Sequence, residues 1–273
     1  MQKLIITAAV TGAEVTRKLQ PNLSLTPEEI AQDVYDCFNA GASIAHVHAR
    51  DEEGNPTQSY DVYKQIKENI EKKCNIIFQP STGGATWHKF EERMQPLLLN
   101  PEMATLSAGT CNFGDDIFLN TNEYMEKFAQ EMKNRNIKPE IEVFERGMIQ
   151  NALNLVKKGL IEHPIHFDFV MGVPGAITGN IDDLLYLQSH IPQNSTWTVA
   201  GIGRFELPLA VHAILMGGHV RVGFEDNIFY KKGEIAKSNA QLVERIVRIA
   251  KELGREVATP DEAREILNIG GSK

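Results

Sequence analysis

Eight short apolar, β-rich runs recur along the chain, each followed by a longer stretch with apolar residues at spacings of three and four. The runs are 4–10 ("LIITAAV"), 43–49 ("SIAHVHA"), 75–80 ("NIIFQP"), 103–109 ("MATLSAG"), 140–145 ("EIEVFE"), 165–172 ("IHFDFVMG"), 196–203 ("TWTVAGIG") and 219–226 ("HVRVGFED"). Strands that alternate with helices read as βαβ units and hence as a parallel sheet. Eight evenly spaced units in 273 residues fit a closed (β/α)8, or TIM, barrel, for which about 250 residues is typical. An open, doubly wound sheet is the competing architecture. A GxGxxG at the first helix would favour it, and none is present.

The first helix carries its own boundary signals: Thr26 as N-cap, Pro27 at the first position, Glu29 completing a capping box, and Gly41 as the stop. The segment "TWHKFEERMQPLLLN" is less regular and is broken by Pro96. The ending "TPDEAREILNIGGSK" predicts one extra capped helix at about 260–269 and a tail. With no low-complexity segment and no Pro/Ser-rich linker, residues 1–273 are expected to form a single catalytic domain.

Composition narrows the setting. Hydrophobic residues make up 42% and charged residues 23%, as in globular proteins. Cys37, Cys74 and Cys111 are an odd count without a CxxC, which argues against a disulfide framework and for a reducing, cytoplasmic compartment. The N-terminus reads as a first strand, not a signal peptide, and no run approaches the roughly 18 apolar residues of a membrane span. A net charge of −8 makes nucleic acid and anionic membranes poor partners, while leaving room for a local cationic pocket.

In a (β/α)8 barrel the active site lies at the C-terminal ends of the strands, so those ends carry the functional argument. His46 and His48 end the second run, with "ARD" straight after. Residues two apart on a strand share a face, so both imidazoles point inward, either as hydrogen-bonded core histidines or as two legs of a metal site. The eighth run ends with Arg221, Gly223 and Glu225 on one face. Closure makes strand eight a neighbour of strand one and brings Glu225 toward the histidines. Two His and one carboxylate with an open position is the pattern of a catalytic zinc site, although manganese or iron suit the same donors. The alternative is that Glu225 and Asp226 form a solvated acidic turn.

Other strand ends offer weaker signals. "QPSTGGA" combines Ser81 and Thr82 with Gly83 and Gly84, either a carboxylate cradle or an ordinary Gly-rich turn. Thr105 and Ser107 put two hydroxyls on one face of an otherwise apolar barrel, as substrate partners or as polar filling. Glu14, in the loop after the first strand, either attracts an ammonium group or is simply exposed. The direction of Glu142 is open. His166 and Asp168 lie near a strand start and are expected to be structural. His88, His163, His190, His212 and His219 are assigned to helices or loops without function.

The stretches "HVHARDEEGNP", "QPSTGGA", "PEMATLSAGT", "FDFVMGVPGA" and "VRVGFEDN" resemble the β-keto acid cleavage enzymes, and the resemblance spans essentially the whole chain. It implies a zinc-dependent barrel, usually a homotetramer, with acyltransferase activity: a β-keto acid plus acetyl-CoA yields acetoacetate plus a new CoA thioester. It implies that His46, His48 and Glu225 bind Zn2+, that Ser81, Gly84, Thr105 and Ser107 hold the keto acid, and that Arg221 and Asp226 assist proton abstraction. Glu14 would meet a 5-amino group, which makes 3-keto-5-aminohexanoate the expected substrate, 3-aminobutyryl-CoA the product, and lysine fermentation the setting.

A guanidinium stays protonated, so Asp226 is the expected base and Arg221 its orienting partner. Asp226 is out of phase with Arg221 and Glu225 on an ideal strand, and the chain is expected to turn there. Two other functions compete: a metal-dependent aldolase with a ketone donor, and a non-catalytic metal- or ligand-binding scaffold.

Overall fold

The computed structural model describes residues 2–270. All eight expected strands are present: β1 (Ile6–Ala9), β2 (Ile44–Val47), β3 (Ile77–Pro80), β4 (Met103–Ser107), β5 (Lys138–Val143), β6 (His166–Met171), β7 (Thr196–Gly201) and β8 (His219–Val222). They pair in parallel in the order β3-β2-β1-β8-β7-β6-β5-β4. The order wraps from the last strand to the first, which makes this a (β/α)8 barrel and not an open doubly wound sheet. One seam, β3 to β4, lacks a backbone ladder. There the Thr82 hydroxyl donates to the Thr105 carbonyl at 2.7 Å, and Thr105 Oγ1 accepts from the Thr82 N–H at 3.1 Å.

Helix α1 (Pro27–Ala40) begins and ends as its sequence signals predict. Thr26 and Glu29 exchange both capping-box bonds, and Gly41 closes the helix at φ 115°. A cap of this kind contributes about 1 kcal/mol. Helices α2 (Tyr60–Glu71), α4 (Asn122–Asn134), α5 (Met148–Lys157), α6 (Ile181–His190), α7 (Glu206–Met216) and α8 (Asn239–Glu252) follow their strands. The slot interrupted by Pro96 holds only the short α3 (Phe90–Arg93) and a 3-10 turn (Gln95–Leu99). Among the described residues no helix is long and apolar enough to cross a membrane.

Strand alternation divides the molecule cleanly. Outward residues such as Ile6, Val47, Leu106, Phe169 and Val222 join the apolar faces of the helices in one core. The inward faces are not the apolar filling expected from sequence. The lowest layer, Ile5, Ile44, Ile77 and Met103, is apolar, and it clusters with Ala263 and Leu267 of α9 (Pro260–Leu267). The extra C-terminal helix is thus a plug under the N-terminal mouth. Above it the interior carries Gln79, Glu140, His166, Asp168 and Arg221, all buried. His219 also belongs here: it lies at the start of β8, not on a helix or loop, and its Nδ1 accepts the Ile5 N–H at 3.1 Å.

Candidate active site

Strand β8 stops at Val222, and the chain turns at once: Gly223 O accepts from the N–H groups of Asp226 and Asn227 at 3.0 and 2.8 Å. Gly223 has φ +151°, and a Cβ there would stand 2.1 Å from Ala9 O. Only glycine allows this approach to β1. The next residues therefore fold over β1 toward β2, and the Glu225 N–H reaches Ala9 O at 3.2 Å. The loop is pinned from outside, since the Phe224 N–H donates to Asn239 Oδ1 and Glu206 accepts from Gly223 N–H and Asn227 Nδ2. This turn resolves the phase problem of Asp226, because it brings both Glu225 and Asp226 back onto Arg221.

His46 Nε2 and His48 Nε2 stand 3.5 and 3.4 Å from Glu225 Oε1, and their donor atoms lie within 4.8 Å of one another. Donors 2.0–2.1 Å from a tetrahedral zinc are about 3.3 Å apart, so the trio has the spacing of a metal-ligand set. Two further observations fit a cation. Glu225 Oε2 is buried without a hydrogen-bond partner. And the guanidinium of Arg221 faces four carboxyl groups, those of Glu142, Asp168, Glu225 and Asp226, of which Glu225 is held ionised among the candidate donors.

The histidines are also prepared for the role. His46 Nδ1–H donates to Gln79 Oε1 at 2.8 Å, Gln79 Nε2 donates to Glu140 Oε1 at 3.0 Å, and His166 Nε2–H donates to Glu140 Oε2 at 3.0 Å. This chain of buried bonds keeps the His46 proton on Nδ1 and turns the Nε2 lone pair toward Glu225. It also gives His166 a buried partner in Glu140. Burial opposes charge on His46, and the nearby Glu225 carboxylate raises its pKa. Burial likewise opposes ionisation of Glu225, yet Arg221 and the two histidines hold its carboxyl well below the usual range.

Arg221 is the hub of the floor. Its Nε and Nη2 grip Asp226 at 2.8 and 2.9 Å, and Nη2 also bonds Glu225. Burial raises the Asp226 pKa, with Arg221 pulling the other way. Asp168 is 3.5 Å from Arg221 Nη1, neither of its oxygens has a hydrogen bond, and burial together with Glu140 raises it well above an ordinary carboxyl.

These groups open on a cavity of about 200 Å³ whose polar lining includes Glu14, His48, Glu142, Arg221, Glu225 and Asp226. Its apolar wall, Phe113, Phe118 and Phe144, comes partly from a hairpin (Cys111–Phe113 with Asp116–Phe118) that the sequence reading missed. The three rings meet edge to face at 5.8–6.2 Å. A larger hollow of about 950 Å³ lies at the opposite end, between the ends of α1 and α8 and the start of α9. Among the described residues it has no comparable convergence of donors, so chemistry, not volume, selects the smaller cavity.

The other sequence candidates are placed unevenly. Gly84 lines the cavity, with φ +64°. Ser81 Oγ accepts from the Gly83 and Gly84 N–H groups, and Thr105 Oγ1 sits in the β3–β4 seam. Neither of those hydroxyl protons has a partner among the described residues. Ser107 donates to Glu142 Oε2 at 2.6 Å. The direction of Glu142, open in the sequence, is inward. Its signal is the register that sets it beside Ser107 across β4 and β5.

Fold and site together define a (β/α)8 barrel with a His–His–carboxylate cluster that could hold a metal ion beside a buried Arg–Asp pair. The chain belongs to the beta-keto acid cleavage enzyme family, whose model matches residues 3–269. It is 54% identical over 271 residues to a 3-keto-5-aminohexanoate cleavage enzyme of Fusobacterium nucleatum, covering 98% of this chain and 99% of the relative. It is 52% identical to the protein of the same name from Acetoanaerobium sticklandii, again covering 98% and 99%. Among solved structures, the apo structure of ObcA superposes with a TM-score of 0.80 at 19% identity, covering 92% of this chain and 66% of that one, a likeness of fold.

Proposed function

We propose that this chain is an acetyl-CoA-dependent acyltransferase that cleaves 3-keto-5-aminohexanoate to acetoacetate and 3-aminobutyryl-CoA. One observation carries the reading: the metal-ligand trio and the Arg221–Asp226 pair share Glu225 and open on one cavity. The names of the relatives from Fusobacterium nucleatum and Acetoanaerobium sticklandii support the substrate.

His46, His48 and Glu225 would hold a divalent ion, zinc in this reading, which supplies Lewis acidity toward the substrate ketone. Asp226 takes a proton from the carbon between ketone and carboxylate onto one of its Oδ atoms. Arg221 cannot serve as that base; it orients Asp226 through two bonds and balances its charge. The carbanion attacks the acetyl carbonyl of acetyl-CoA, and CoA thiolate leaves. The thiolate attacks the 3-keto carbon, the carbon–carbon bond breaks, and Asp226 returns its proton to acetoacetate. The free hydroxyl protons of Ser81 and Thr105, with Gly84 and the Ser107–Glu142 pair, hold the keto acid. Glu14, exposed at the cavity rim, meets the 5-ammonium group. The reading includes a cytoplasmic homotetramer working in lysine fermentation, and sedimentation analysis tests the assembly.

The decisive experiment is metal analysis of the purified protein, then acetoacetate formation from acetyl-CoA with 3-keto-5-aminohexanoate and with 3-oxohexanoate, which lacks the amino group. Metal-dependent, CoA-dependent acetoacetate formation with preference for the amino substrate is expected. Cleavage without CoA would indicate an aldolase instead. Glu14→Gln should weaken use of the amino substrate by up to about tenfold while sparing 3-oxohexanoate, because the neutral amide removes the counter-charge that the ammonium meets at the rim. Equal losses on both would remove Glu14 from this role.

A further inference from the structure

Arg50 follows His48 by two residues, in the same alternation as the two histidines. It is 4% exposed, and among the described residues no carboxylate pairs with it. Its donors go to backbone carbonyls instead. Nε and Nη2 bond Gly12 O at 3.1 and 2.8 Å, Nη2 bonds Val15 O at 2.8 Å, and Nη1 bonds Gly54 O at 2.9 Å. Burial opposes the charge on Arg50, and the carboxylates of Glu14, Glu225 and Asp51 act through space to offset part of that cost. The carbonyls of Gly12 and Val15 bracket Ala13 and Glu14.

Glu14 needs such help. The loop from Val10 to Gln20 contains neither helix nor strand, and the Glu14 side chain has no hydrogen bond or ion pair among the described residues. Its position is set by the backbone that Arg50 brackets, with the Arg50 charge acting on its carboxylate through space. Gly12, at φ +69°, lies against Glu225: a Cβ there would be 2.8 Å from Glu225 Cγ. The bracketed loop therefore rests on the candidate ligand carboxylate, which ties the rim to the floor.

We propose that Arg50 is a positioning residue that sets Glu14 at the cavity rim and thereby fixes selectivity for a keto acid bearing a cationic amino group. The inference rests on the reading that Glu14 meets an ammonium. A planar guanidinium reaches two carbonyls at fixed spacing while bonding a third with its other arm, and a lysine ammonium cannot reproduce that fork.

The test compares Arg50→Lys, Glu14→Gln and the double variant, with 3-keto-5-aminohexanoate and 3-oxohexanoate as substrates. For Arg50→Lys we expect KM for the amino substrate to rise about tenfold, with kcat within about threefold of the parent. Metal content and KM for 3-oxohexanoate should be unchanged. The double variant should be no worse than Glu14→Gln alone, since one residue acts through the other. Trypsin cleavage after Lys18, which is exposed in the same loop, should be faster, because local opening governs such cleavage. Equal KM changes on both substrates, additive losses in the double variant, or unchanged cleavage would each overturn the proposal. If Glu14→Gln treats both substrates alike, the ammonium reading fails and the selectivity role with it, while cleavage still decides whether Arg50 holds the loop. Should Arg50→Lys not fold, Arg50→Ala assayed with guanidinium chloride against sodium chloride replaces it: recovery of the amino-substrate KM by guanidinium alone is expected, and no recovery refutes the clamp.

Discussion

The two mouths of the barrel are built from the same strands and do opposite things. At the N-terminal mouth Ile5, Ile44, Ile77 and Met103 meet Ala263 and Leu267 of α9 and exclude water. At the C-terminal mouth, two and four residues further along β2 and its extension, His46 and His48 face Glu225 and Arg221. Period-two alternation makes both possible, because Ile44, His46 and His48 share one face. The contrast shows a division of labour along a single strand: the bottom contributes stability, and the top concentrates charge that the fold must hold against desolvation. The Gln79–Glu140–His166 chain between them is the transition, polar but fully bonded to its neighbours.

Asp226→Asn should have the largest effect on this contrast. It removes the proposed base at the top without removing a metal ligand, so metal content should persist while turnover falls by about 10²–10⁴-fold. Near-normal acetoacetate formation would take the base role away from Asp226. At the bottom, Leu267→Ala should cost about 2–5 kcal/mol of stability, read by urea unfolding, with kcat per folded molecule unchanged. A matching loss of kcat would break the separation between the mouths.

Between the two, Gln79→Leu should leave the fold in place but free the His46 tautomer. Metal affinity, measured by competition with a chelator, should fall about 10–100-fold. Affinity equal to the parent would mean that the buried chain serves packing alone.

The smallest effect concerns His219 at the bottom. Its Nδ1 accepts the Ile5 N–H, and burial, with His166 and Arg255 nearby, holds its pKa well below 6.5. The unfolded chain therefore binds a proton that the folded chain refuses. Stability from this group is complete above about pH 6.5 and declines below it, by up to about 1.4 kcal/mol per pH unit. Urea unfolding from pH 7 to 5 should show a shallower decline for His219→Gln. An identical slope would assign the acid sensitivity to other groups.

The elements that could be read directly from sequence are those whose signals are local. The eight strand–helix units, the Thr26–Glu29 cap and the C-terminal helix each rest on residues within a few positions of one another. The convergence of His46, His48 and Glu225 was also legible, because parity and barrel closure together suffice to place them. The direction of Glu142 was not, since alternation in "EIEVFE" allows either face until β4 supplies the register. The hairpin carrying Phe113 and Phe118 was missed because its strands are only three residues long, too short for periodicity to register.

By itself, then, the sequence determined the order and phase of the elements, because steric preferences, capping and alternation act between near neighbours. The tertiary structure alone decided which polar groups meet inside the barrel: the Thr82–Thr105 seam, the bonds from His46 through Gln79 to Glu140, and the grip of Arg50 on Gly12 and Val15. Those contacts join residues about 20 or more positions apart on different strands or loops, and a buried hydrogen bond between such partners exists only once the ring has closed and water has left.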